Sequence, residues 1–245
     1  MLGKETSDEI AYCPKPRREV RRNLGFVFSG QERWTPVYFR DFCYQFPGFR
    51  SRLEALAAMM NGTFGKPLTS YLTSSRENLK PRKPAESRHS QTDCAEAYVI
   101  VAAIQIALTQ FVGDLGLQPQ ATLGSGWGEL LAAAASGVLP PEAALHLVAE
   151  LSRDASQRPS PNAHDASGES LGRLQVSLPR IPMISSATCA PYPNDEEAIA
   201  EITTWKEQSN GAFAKALRAL QATGANLLLQ IGAMVTFLVR HAPLR

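Results

Sequence analysis

The 245-residue chain carries 25 Lys and Arg residues against 23 Asp and Glu residues, so its formal net charge is only +2. This balance argues against a nucleic-acid-binding or membrane-binding surface, and 44% hydrophobic with 20% charged residues is typical of a soluble globular protein. The length suffices for one large domain with a sizeable core. The most apolar stretch, Tyr98 to Leu108, is interrupted by Gln105 and is shorter than the ~20 residues that a membrane span needs.

The four cysteines are scattered through the chain without a C-x-x-C spacing. Neither a disulfide framework nor a zinc site is therefore predicted, and no other cofactor is indicated. The chain does not open on a positive segment followed by an apolar run, so no signal peptide is expected. Together these features favour the reducing cytoplasm.

Residues 1–23 are polar, basic and proline-containing, which predicts a tail or linker before a domain spanning 24–245. The apolar run Leu24–Ser29 is typical of a central parallel strand. Two helices are predicted after it, over Val37–Gln45 and Phe49–Met60, the second with apolar residues at helical spacing.

Residues 74–91 are rich in Lys, Arg, Pro and Ser and predict a flexible surface insertion. A long core helix is predicted over Ala95–Leu115. A second flexible segment is predicted at 152–178, where Ser, Pro, Asn, Asp and Gly dominate.

The second half repeats the alternation of strands and helices. Strands are predicted at Ile181–Ser185 and Leu227–Ile231, and helices from Asn194 and over Ala212–Ala222, the latter closed by Gly224. This order predicts an α/β fold with a mostly parallel sheet and helices on both faces.

The most informative motif lies between these halves, where a short apolar strand, Ala121–Leu123, precedes three glycines and an alanine-rich helix, Leu130–Ala135. In a G-x-S-x-G nucleophile elbow, a serine stands at the tip of a sharp strand-to-helix turn. The outer glycines, Gly124 and Gly128, are present here, but the central position is Gly126. The turn is predicted to persist without a nucleophile at its tip.

Five segments in order resemble the malonyl-CoA:acyl carrier protein transacylases and the acyltransferase domains of polyketide synthases. They are Phe26–Gln31, Phe46–Arg50, Gly124–Leu147, Pro179–Ser185 and Leu227–Gly232. The third is similar to the family's GHSxGE elbow and the two helices after it. The resemblance covers most of Leu24–Val239 and implies the family's α/β-hydrolase-like large subdomain.

The chain departs from the family where the family's chemistry resides. The family's nucleophilic serine falls on Gly126, the histidine before it on Ser125, and the arginine that binds the malonyl carboxylate on Leu151. The first oxyanion-hole region begins Gly30-Gln31-Glu32, so a carboxylate stands near the place of the developing oxyanion. The resemblance thus implies a substrate cleft containing Gln31, Glu32, Trp127 and Leu151.

A further departure concerns the family's small ferredoxin-like subdomain, which ends in the motif that carries the catalytic histidine. Only residues 152–178 lie at that place in this chain, and they are too few for the subdomain. His164 lies in this segment without the HSPxM context, and a solvated loop residue is the simpler interpretation. Ser125 as a nucleophile in a shifted register would put Leu123 and Trp127 at positions that need small residues.

Two hypotheses follow. In the first, the protein is a degenerate acyltransferase that serves as a scaffold or docking component of a polyketide or fatty-acid synthase, with a ketosynthase or an acyl carrier protein as partner and neither nucleic acid nor membrane. In the alternative, it is an active acyltransferase or acyl hydrolase with relocated residues, Ser125 and His164. Acylation by an acyl-CoA discriminates between the two hypotheses.

Overall fold

The computed structural model describes residues 23–29, 36–60, 90–157, 176–195, 212–232 and 236–239. Strands and helices alternate along most of this part of the chain. In order they are β1 Leu24–Ser29, α1 Pro36–Gln45, α2 Pro47–Met59, α3 Ser90–Asp114, β2 Ala121–Ser125, α4 Gly128–Ser136, α5 Pro141–Gln157, β3 Met183–Ile184, α6 Ala212–Ala222, β4 Leu227–Ile231 and β5 Thr236–Val239.

The strands form one sheet in the order β3-β2-β1-β4-β5. β1 runs parallel to both β2 and β4, β2 runs parallel to β3, and β5 pairs antiparallel with β4. The chain moves outward from β1 to β2 and β3 and then crosses back to the other side of β1. The strand order therefore reverses at β1, and open α/β sheets bind ligands at the carboxyl ends of the strands beside such a reversal.

The strands are apolar on both faces because helices cover both. Phe26 and Phe28 of β1 point into the larger core, which is built with residues of helices α1 to α5. Val27 points to the opposite face and packs with Ala216 and Leu220 of α6 in a second, smaller core. The period-2 alternation of a strand thus supplies both cores from one apolar run.

These observations confirm the predicted fold class, a mostly parallel sheet with helices on both faces. β1, α6 and β4 have the predicted bounds. The apolar segment after β4 was not predicted as a strand, and it forms β5.

Several other predicted bounds differ from those of the structure. Helix α3 begins at Ser90 and α5 continues to Gln157, so both predicted flexible segments lose residues to helices. β3 is only two residues long. Asn194 and Asp195 are not helical, and the rest of the helix predicted there lies outside the described residues.

No helix within the described ranges is both long and apolar enough to cross a membrane. Those ranges also contain no group of three or more His, Cys, Asp or Glu side chains placed to hold a metal ion.

Candidate functional site

The predicted strand, turn and helix around the three glycines are all present. β2 ends at Ser125, Gly126 adopts a left-handed backbone with φ of 58°, and Trp127 returns to the helical region with φ of −53° and ψ of −25°. α4 begins at the next residue. The chain therefore reverses direction through one left-handed residue, at the position that the serine occupies in a nucleophile elbow.

Gly124 permits this turn to be tight. A Cβ atom built on Gly124 would lie far inside van der Waals contact of the Gly128 carbonyl oxygen and of the Glu129 backbone nitrogen and Cα. These three atoms belong to the backbone, so no side-chain rotation can relieve the overlap. The first turn of α4 therefore crosses directly over the end of β2, and only glycine fits at the crossing point.

Backbone hydrogen bonds close the turn. The Glu129 N–H donates to the Gly126 carbonyl at 2.9 Å, and the Leu130 N–H donates to the Trp127 carbonyl at 3.2 Å. Trp127, at the N-cap position, makes no side-chain capping bond. Two of the N–H groups that a helix start leaves unsatisfied are thus used within the elbow itself.

The elbow lies beside the reversal of the strand order. Ser125 at the end of β2 is in register with Ser29 at the end of β1, so both residues stand at the carboxyl edge of the sheet. The side chain of Ser125 is half-buried, and its backbone belongs to the strand. The hydroxyl of Ser125 is therefore not at the tip of the elbow.

Glu129, in the first turn of α4, anchors the elbow to a distant part of the chain. Its Oε2 accepts a hydrogen bond from the Ser186 hydroxyl at 2.5 Å, and its Oε1 accepts one from the Tyr192 hydroxyl at 2.7 Å. Ser186 is completely buried and Tyr192 is 5% exposed. Hydrogen bonds to a charged, partly buried acceptor are stronger than neutral ones, and a carboxylate near a helix N-terminus is favourable.

Ser186 belongs to a second tight turn at the same edge, residues 185–190, which follows β3. The Ser185 N–H donates to the Ala190 carbonyl, and the Ser185 hydroxyl accepts hydrogen bonds from the Ala187 and Thr188 N–H groups. Cys189 adopts a left-handed backbone with φ of 57°, and no other non-glycine residue of the described ranges has a positive φ. The elbow and the 185–190 turn are thus joined through Glu129.

Trp127 forms an aromatic pair next to the elbow. Its ring lies 5.7 Å from the ring of Tyr98 on α3, with an interplanar angle of 33°. Trp127 is half-buried against the larger core, whereas Tyr98 is 39% exposed. The separation is within the range of favourable aromatic contacts, so the pair fixes the Trp127 side chain against α3.

Two of the four residues predicted to line the cleft lie within the described residues. Trp127 follows the tip of the elbow, and Leu151 on α5 is 6% exposed within the larger core. Gln31, Glu32 and the candidate base His164 lie outside the described residues. The sequence does not predict the roles of Glu129, Ser186, Tyr192 and Tyr98, although the acidic residue directly after Gly128 is visible in it.

The described elbow therefore offers a shaped backbone but no nucleophile at its tip. Gly126 has no hydroxyl to form an ester, and Leu151 has no charge to pair with a carboxylate. The carboxylate in the first turn of α4, that of Glu129, already accepts two hydroxyl hydrogen bonds.

Comparisons with known proteins relate the chain to polyketide synthases. No family model matches it. The hybrid PKS-NRPS synthetase pyvA of Aspergillus violaceofuscus is 29% identical over 233 residues, which are 89% of this chain and 6% of the synthetase. The highly reducing polyketide synthase srdA of Neurospora crassa is 25% identical over 203 residues, 80% of this chain and 8% of the synthase. The chain thus spans less than a tenth of either relative.

Solved structures show the same fold. The acyl transferase domain of SpnD superposes with a TM-score of 0.70 at 16% identity, covering 91% of this chain and 67% of that domain. The MCAT of Streptococcus pneumoniae gives a TM-score of 0.67 at 16% identity, covering 86% and 89%. The malonyl-transacylase PlMCAT, solved in complex with the type II PKS acyl-carrier protein AntF, gives 0.62 at 14% identity, covering 86% and 89%. The described sheet and elbow thus have the α/β fold of malonyl-CoA transacylases and polyketide synthase acyltransferase domains.

Proposed function

We propose that this chain is an acyltransferase-like unit of a polyketide synthase system that has lost catalysis and acts as a scaffold or docking component. The proposal depends on one observation: the left-handed tip of an otherwise intact elbow is occupied by Gly126, which has no side chain. Loss of the serine nucleophile from a catalytic triad costs about 10⁶-fold in turnover.

Two further features indicate that more than the nucleophile is missing, so that a replacement for the serine alone would not restore catalysis. Leu151, where the family binds the malonyl carboxylate, is apolar and buried in the larger core. Helix α5 continues to Gln157, which leaves still less chain before β3 for the small subdomain that carries the family's catalytic histidine. One missing group could be replaced from elsewhere, whereas the loss of all three removes nucleophile, base and substrate anchor together.

The alternative, an active enzyme that uses Ser125 and His164, draws less support from the elbow. Ser125 continues β2, and the residue with the left-handed backbone is the one after it. A strand residue whose side chain is half-buried lacks the exposure that an elbow gives its nucleophile.

Intact-mass spectrometry after incubation with malonyl-CoA or acetyl-CoA tests the proposal. An active malonyl-transacylase, such as the Streptococcus pneumoniae enzyme, serves as the positive control. We expect no covalent adduct on this protein with either acyl donor, because the tip of the elbow carries no hydroxyl. A stoichiometric adduct that maps to Ser125 and disappears in Ser125→Ala would overturn the proposal and support the alternative.

The proposed partner is an acyl carrier protein or a ketosynthase of the same synthase system. The solved complex of PlMCAT with a carrier protein supports the carrier, because PlMCAT shares the fold described here. A protein that keeps this fold without catalysis can still bind a partner through its surface.

A further inference from the structure

The solvent-facing side of helix α6 has an unusual composition. Ala212, Ala216 and Leu220 are buried in the smaller core. The opposite side of the helix, which we call the basic face of α6, consists of Phe213, Ala214, Lys215, Arg218 and Ala222, all of them exposed. This face therefore combines two cations, two alanines and one aromatic ring.

No carboxylate of the described ranges forms an ion pair with the cations of this face, Lys215 and Arg218. No acidic residue occurs in α6 itself. Three arginines elsewhere in those ranges stand beside carboxylates, whereas the exposed Arg180 forms no ion pair there either. These pairs are Arg40 with Asp41, Arg50 with Glu54, and Arg52 with Asp114.

The basic face begins at the same edge of the sheet as the elbow. The Cys189 thiol, in the 185–190 turn, donates a hydrogen bond to the carbonyl of Ala212 at 3.3 Å, which ties the first residue of α6 to that turn. The same turn carries Ser186, which binds Glu129 of the elbow. A molecule bound along α6 near Phe213 would therefore lie close to the elbow.

The shape of the face also favours contact with another helix. Ala214 and Ala222 place small side chains around Lys215 and Arg218, so a partner backbone can approach closely while the longer cationic side chains reach around it. Phe213, 39% exposed, adds an apolar contact at the end nearest the elbow. Aromatic residues and arginine are enriched where proteins bind one another.

We propose that the basic face of α6 is the docking surface for an acidic helix of an acyl carrier protein. This proposal rests on the proposed function, which supplies the carrier protein as partner. Charge complementarity of this kind mainly speeds encounter and weakens with salt, since charges are screened over about 8 Å at physiological ionic strength. Docking at α6 would bring the carrier to the edge of the sheet where the elbow lies.

Fluorescence anisotropy with labelled holo AntF, the carrier protein of the PlMCAT complex, provides the test. The wild type is titrated at 50 mM and 150 mM salt, and we expect weaker binding at the higher salt. The double variant Lys215→Glu/Arg218→Glu is expected to weaken binding about tenfold at low salt, because two attractions become repulsions. The milder Lys215→Gln/Arg218→Gln variant is expected to show a smaller loss in the same direction.

A control variant, Arg40→Glu/Arg50→Glu, makes the same change in net charge on α1 and α2, which belong to the other face of the sheet. Its affinity is expected to stay within about twofold of the wild type. If both charge-reversal variants bound AntF equally weakly, or if the α6 variants bound it as tightly as the wild type, the basic face of α6 would not be the docking surface. A carrier protein would then remain the proposed partner. Absence of binding by the wild type at either salt concentration would instead contradict the carrier partner itself.

Discussion

Two tight turns at the carboxyl edge of the sheet each pass through one left-handed residue, and they differ in which residue bears it. In the elbow it is Gly126, with φ of 58°, and in the 185–190 turn it is Cys189, with φ of 57°. A left-handed backbone is strained for any residue with a Cβ atom and unstrained for glycine. An enzyme's elbow places that strain on its nucleophile, whereas Gly126 bears no such strain and supplies no nucleophilic side chain.

The comparison also shows where the two turns obtain their rigidity. The elbow depends on close backbone packing, because Gly124 lets α4 cross directly over β2. The 185–190 turn depends on side-chain hydrogen bonds, from the Ser185 hydroxyl within the turn and from Ser186 to Glu129. The first kind of turn should be sensitive to added volume, and the second to loss of a polar group.

The largest effect is expected from Gly124→Ala. The added methyl group would overlap backbone atoms of Gly128 and Glu129, so the crossing of β2 and α4 must open. We expect a loss of about 3 kcal/mol or more in the free energy of unfolding, measured by urea denaturation. Gly48→Ala, in α2, is the matched control, because its Cβ would meet only the Phe111 ring, at 3.7 Å or more. Equal stability of the two variants would contradict the close crossing.

A smaller effect is expected from Tyr192→Phe, which removes one of the two hydroxyl donors to Glu129. Loss of a hydrogen bond to a charged acceptor costs about 1.5–3 kcal/mol, and urea denaturation measures it. Tyr98→Phe removes the hydroxyl of a residue that is 39% exposed but keeps the ring against Trp127, and it should change stability by less than about 0.5 kcal/mol. If both variants lost the same stability, Glu129 would not be the anchor of the elbow.

The double-mutant cycle of Tyr192→Phe with Ser186→Ala sharpens this point. Both hydroxyls bind the same carboxylate, so their effects should not add, and the coupling should amount to about 0.5 kcal/mol or more. Additive losses in the same denaturation experiment would mean that the two residues stabilise the protein independently.

Smaller effects than that of Gly124→Ala concern the left-handed residues themselves. Gly126→Ala places a Cβ on a left-handed residue and should lower stability by about 1–2 kcal/mol. Cys189→Gly should be more stable than Cys189→Ala by a similar amount, since both variants lack the thiol and only alanine bears the strain. Thermal denaturation of the four proteins measures both differences. If Gly126→Ala were more stable than the wild type, or Cys189→Ala more stable than Cys189→Gly, the two turns would not differ in backbone strain as described.

Much of this fold could be predicted from the sequence because its signals are local. Continuous apolar runs gave β1 and β4, and glycine spacing with a following alanine-rich stretch gave the elbow and α4. Helix ends were less predictable, since the polar residues from Ser90 onward continue α3 and those up to Gln157 continue α5. Polarity indicates exposure, and exposed residues are compatible with helix as well as loop.

The polar contacts of the site could not be predicted in the same way. Ser186 and Tyr192 lie 57 and 63 residues after Glu129, and no local pattern links a carboxylate to hydroxyls so distant in the chain. The contact exists because β3 pairs with β2 and brings the 185–190 turn beside the elbow. The pairing of Tyr98 with Trp127 likewise depends on the packing of α3 against the elbow.

The central claim, that catalysis is lost at more than the elbow serine, is tested most directly with Gly126→Ser. Intact-mass spectrometry and malonyl transfer to holo AntF are measured for this variant and for the wild type. We expect no acyl adduct at position 126 and no gain in transfer, because a serine without a general base stays a weak nucleophile at neutral pH. A stoichiometric adduct with clear turnover from this one substitution would contradict the account and show that a working base, such as His164, lies within reach of the elbow.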